Sequence, residues 1–126
     1  MTENFREEAN KWIGFAKRNL DSARFALSHK RFDEASFWAQ QSAEKALKAV
    51  WIGKGFGLQK THNLVILGKK IGLSEEFIEE LEILSSIYLV VRYPLDIDVE
   101  KELVAETSRT HVKTAEKVLE WTEKNL

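Results

Sequence analysis

The stretch WAQQSAEKALKAV, residues 38–50, decides the fold. Read with the residues around it, it places Ala35, Trp38, Ala39, Ser42, Ala43, Ala46, Leu47 and Val50 on one side of a helix. Most of these are small, so a neighbouring helix can approach closely there. The same stretch also carries Gln41, Glu44, Lys45 and Lys48, a polar row at i, i+3, i+4 and i+7. Such residues share a face. The row is either a solvated stripe with a Glu44–Lys48 ion pair, worth a few tenths of a kcal/mol, or the wall of a cleft.

Helical signals extend in both directions. Upstream, Phe5, Ala9, Trp12, Ile13, Ala16, Leu20, Ala23 and Leu27 repeat at helical spacing, which predicts a first helix over about residues 3–28. Phe15 and Phe25 fall off that stripe, as if a second face were buried. Asp33 is expected to cap the second helix, with Phe32 and Phe37 as a hydrophobic staple. Gly53 is expected to end that helix in the left-handed conformation. Thr61 should then cap a short third helix, His62 to about Ile71, closed by Gly72. Ser74 should cap a fourth, with Glu75 and Glu76 suited to its dipole and Pro94 ending it. A fifth is predicted over about residues 99–124, with Asp96 or Asp98 as its cap and His111 packed on its inner side.

These elements predict one all-α domain over residues 1–126, an antiparallel up-and-down bundle of four long helices plus one short one. If every helix crosses the bundle, Lys48, the glycine connection at 53–60, His62, Arg92 and Tyr93 gather at one end. Arg92 follows an apolar run and suits either the helix dipole or an anion site.

Composition narrows the chemistry. A chain of 126 residues with 44% hydrophobic and 31% charged residues suits one soluble domain with a real core. The net charge of -1 provides no global basic field for nucleic acid, so any such binding needs a local patch. The absence of cysteine removes disulfides, thiolate chemistry and cysteine-rich zinc sites. His29, His62 and His111 are far apart in sequence and show no metal-ligand spacing, so no metal or cofactor is expected. GKGFG, residues 53–57, matches neither phosphate-loop pattern and reads as a connection. No secretory leader or apolar run of about 20 residues is visible, so the expectation is a cytoplasmic protein without a membrane span. Four tryptophans in so short a helical chain, with aromatics off the main stripes, point to a homodimer.

DEASFWAQQSAEKALKAVWIGKG (33–55), THNLVILGKKIG (61–72) and YLVVRYP (88–94) together resemble the HEPN domain, the higher eukaryotes and prokaryotes nucleotide-binding family. The resemblance spans about residues 9–121. It implies a bundle of four or five helices, often dimeric. It also implies pairing with a minimal nucleotidyltransferase, in many cases as a toxin–antitoxin module. Many members are metal-independent ribonucleases with an arginine and a histidine separated by four to six residues near the last two helices. Here no histidine follows Arg92 at that distance, and Arg24-x4-His29 lies in the first helix instead. The resemblance therefore implies a noncatalytic member that binds a nucleotide, an RNA phosphate or a nucleotidyltransferase. Glu44, Lys48, His62, Arg92 and Tyr93 are the expected site; a ribonuclease toxin is the alternative.

Overall fold

The computed structural model describes residues 3–85 and 98–126. Five helices occur among them: α1 (Glu3–Ser28), α2 (Phe32–Gly53), α3 (Leu64–Lys70), α4 (Glu75–Ser85) and α5 (Asp98–Lys124). No strand is present among the described residues.

The closest packing is between α1 and α2. Ala16, Ala23, Ala39 and Ala43 are fully buried there, and Ser42 Oγ donates to the Ala16 carbonyl at 2.8 Å. A side-chain bond from one helix to the backbone of the next requires close axes, and the small residues permit them. The predicted inner face of α2 is buried throughout, apart from a half-buried Trp38.

Ion pairs fix the helix directions. Lys17 meets Glu123 at 3.5 Å and Arg24 meets Glu116 at 3.2 Å, so α5 runs antiparallel to α1. Lys117 Nζ lies 2.6 Å from Glu80, while His111 senses the Ile83 backbone, so α4 runs antiparallel to α5. With the short α1–α2 turn, the four long helices run up, down, up and down.

The short helix changes which residues share an end. At 7 residues, α3 is only about 10 Å long and does not cross the bundle. It leans on α2, where Trp51 Nε1 donates to the Leu67 carbonyl at 2.9 Å. The chain therefore starts α4 from the His62 side, and Ser85 and Asp98 flank the other end, where Ser108 reaches Phe32. The expectation that counted α3 as a full crossing had placed the start of α5 beside His62.

Several helix ends differ from expectation. Asp33 lies inside the first turn of α2, and Arg31 precedes that helix without a side-chain cap. Asp33 and Glu34 serve the dipole from within the turn. Phe32 is itself helical and Phe37 is 44% exposed, so no staple forms. Gly53 remains helical and Lys54 is the C-cap; the left-handed residues are Gly55 and Gly57, both at φ 80°. Asn63 rather than Thr61 caps α3, accepting from the amides of Val65 and Ile66. The Ser74 cap is present, its Oγ accepting from the Phe77 amide at 3.2 Å.

Candidate functional site

Glu44 and Lys48 stand one turn apart on α2. Both are buried, with side chains 5% and 6% exposed, and Lys48 Nζ lies 3.1 Å from Glu44 Oε2. The ion pair expected on a solvated stripe is thus enclosed. His62 adds a second contact, its Nδ1 lying 2.9 Å from the same Oε2. A carboxylate oxygen can only accept, so Nδ1 carries the proton and Nε2 of the neutral ring holds the lone pair. Glu44 Oε1 is buried and has no hydrogen bond among the described residues. The carboxylate therefore receives two donors on one oxygen and none on the other.

Neighbouring elements hold His62 in place. Asn63 caps α3 and accepts two backbone amides, which leaves His62 just outside that helix. Thr61 Oγ1 accepts from the Asn63 amide at 3.1 Å. The Trp51–Leu67 bond docks α3 on α2. The imidazole is tied to a buried carboxylate on one edge, yet its side chain is 78% exposed.

Lys45, from the same polar row, turns toward α1. Lys45 Nζ donates to Asn19 Oδ1 at 2.6 Å. Burial pushes its pKa down, with the Glu44 carboxylate opposing. Gln41 donates to the neighbouring Gln40 side chain at 2.9 Å. Of the expected site residues, the structure brings together Glu44, Lys48 and His62. Arg92 and Tyr93 lie outside the described residues.

A second polar cluster joins α2 to α5. His111 Nδ1 is 2.9 Å from Ser36 Oγ, and Ser36 Oγ is 2.7 Å from Ser108 Oγ. Ser108 spends its proton on the Phe32 carbonyl at 2.7 Å. The order of donation follows: Ser36 donates to Ser108, and His111 Nδ1–H donates to Ser36. No well-formed hydrogen bond reaches His111 Nε2 among the described residues. Burial lowers the His111 pKa, and the Ile83 backbone partly opposes this. The sequence showed His111 as a packed residue, but Ser36 and Ser108 carried no signal, because a serine in a helix gives no sign of its partner 72 or more residues away.

Arg24 and His29, the misplaced arginine–histidine pair, point to separate partners. Arg24 pairs with Glu116, and His29 Nδ1 lies 2.9 Å from the Phe25 carbonyl. Among the described residues, no group of three or more His, Cys, Asp or Glu is placed to hold a metal ion. No helix among them is long and apolar enough to cross a membrane.

The sequence matches the family model of the HEPN domain over residues 9–126. The chain belongs to the HEPN family. Solved structures agree with this fold. TT1696 from Thermus thermophilus superposes with a TM-score of 0.80 at 24% identity, covering 94% of this chain and 98% of that one. A HEPN domain protein from Thermotoga maritima gives 0.76 at 23% identity, covering 90% and 95%. The archaeal HEPN homologue ST0689 gives 0.72 at 25% identity, covering 92% and 95%. No curated protein sequence gives a significant match.

Proposed function

We propose that this HEPN protein is a noncatalytic binding subunit that takes a nucleotide or an RNA phosphate, with a minimal nucleotidyltransferase as its partner in a toxin–antitoxin type of module. The observation that carries the reading is His62, exposed to solvent while anchored at 2.9 Å to the buried Glu44. Once protonated, such an imidazole presents an N–H to a phosphate oxygen. Lys48 acts from behind by holding Glu44 rather than by offering a free charge, because the two buried charges cancel. Arg92, for phosphate, and Tyr93, for base stacking, remain proposed on the family resemblance alone, because Ser85 and Asp98, which flank them in the chain, lie at the end of the bundle away from His62. A homodimer in the cytoplasm is part of the same proposal.

The test is thermal unfolding with mononucleotides and with short RNA. A ligand at 100 times its Kd should add about 2.7 kcal/mol of stability. The shift should vanish in His62→Ala and shrink in Arg92→Ala. No shift with any ligand would leave protein binding as the remaining role.

A ribonuclease is the second reading, and the Glu44–His62 contact favours it by supplying an oriented base. RNA cleavage by the purified protein, lost in His62→Ala, would establish it in place of the first.

A further inference from the structure

We propose that His62 is a phosphoryl-acceptor site, with Nε2 as the nucleophile and a small phosphoryl donor of the phosphoramidate class as its substrate. The proposal uses a residue of the candidate site but needs no nucleotide, so it stands or falls separately from nucleotide binding.

The geometry supplies what an acceptor histidine needs. The Glu44 carboxylate accepts from Nδ1, so in the neutral ring the lone pair sits on Nε2. The ring is 78% exposed, and Nε2 makes no hydrogen bond among the described residues. When Nε2 attacks phosphorus, positive charge develops on the ring. Glu44, buried on α2, faces that charge through the Nδ1–H. Lys48 Nζ, 3.1 Å from the same carboxylate oxygen, holds it in place on α2. Among the described residues Oε1 of this carboxylate receives no donor. With only one of its oxygens receiving donors, its negative charge is less fully compensated.

The step balances. The Nε2 lone pair forms the new N–P bond, and the P–N bond of the protonated phosphoramidate breaks. Ammonia leaves with that electron pair. The Nδ1 proton stays between the ring and Glu44, so the product is an N-phosphoimidazolium paired with a carboxylate.

The molecule contains its own controls. His29 is also exposed, but its Nδ1 meets the Phe25 carbonyl at 2.9 Å and no carboxylate. His111 is fully buried. The experiment incubates the intact protein with phosphoramidate at neutral pH, without nucleotide. Modified histidines are mapped by mass spectrometry under alkaline handling, and the ring nitrogen is assigned by phosphorus NMR. The expected result is modification of His62 at Nε2 about tenfold faster than of His29, a factor equal to about 1.4 kcal/mol in the barrier. His111 should stay unmodified. Glu44→Gln should lower the His62 rate toward that of His29 and leave His29 unchanged. Equal rates at His62 and His29 in the unaltered protein, attachment at Nδ1, or no incorporation would each overturn the proposal. The comparison of rates in the unaltered protein requires no variant to fold.

Discussion

His111 and Ser36, 75 residues apart in sequence, meet at 2.9 Å inside the core and join α5 to α2. The ring is fully buried, and burial holds its pKa below the ordinary histidine value. The sign for stability follows from proton uptake. Below about pH 6.5 the unfolded chain binds a proton that the folded chain resists. Stability from this group is therefore complete above that pH and falls as acid is added, by at most about 1.4 kcal/mol per pH unit, until the folded pKa is reached. Unfolding midpoints measured from pH 8 to 5 should show this decline. His111→Gln should be less stable near neutrality but lose this part of the pH slope.

The Glu44–Lys48 pair gives a second expectation. Lys48→Met leaves a buried carboxylate with His62 as its remaining described donor, and Glu44→Leu leaves a buried ammonium. Each should cost about 3–5 kcal/mol in urea denaturation. The double variant, apolar on both sides, should return to within about 2 kcal/mol of the parent. If each single change costs only a few tenths of a kcal/mol, the pair is solvated after all.

Two helical glycines should respond in opposite directions. A Cβ at Gly14 would meet nothing within 4 Å, so Gly14→Ala should stabilise α1 by about 0.5–1 kcal/mol. A Cβ at Gly68 would lie 2.7 Å from Leu81, 3.0 Å from Leu73 and 3.1 Å from Ile78. Leu81 is fully buried and has little room to yield. Gly68→Ala should therefore lose about 1–2 kcal/mol despite the better helix propensity of alanine. Calorimetry on the two variants settles both signs.

The helices were legible because their apolar stripes are long and regular. α1, α2 and α5 begin and end within a residue or two of their expected limits. The glycine connection was harder to read. Gly53, Gly55 and Gly57 all offer a left-handed stop, and only the Phe5 ring, whose Cε2 would lie 3.1 Å from a Cβ on Gly55, distinguishes that position sterically. α3 was recognised but its reach was not, since a stripe of few residues does not say whether the helix crosses the bundle or lies against it. That single ambiguity moved the start of α5 to the wrong end. At the candidate site, the i,i+4 spacing of Glu44 and Lys48 was visible. Their enclosure was not, because it depends on where His62 and α3 come to rest.

The alanine seam between α1 and α2 also bears on how the chain finds this fold. Its contacts join neighbouring segments across a turn of only a few residues, so they form with little loss of loop entropy. Contacts of low sequence separation are reached early, whereas Ser36 must wait for Ser108, 72 residues away. The α1–α2 hairpin is thus the natural nucleus, and α5 is the element that closes the structure. The surface carrying Glu44 and Lys48 is assembled on the early half of the molecule, while the histidine that completes the candidate site arrives with the chain that follows.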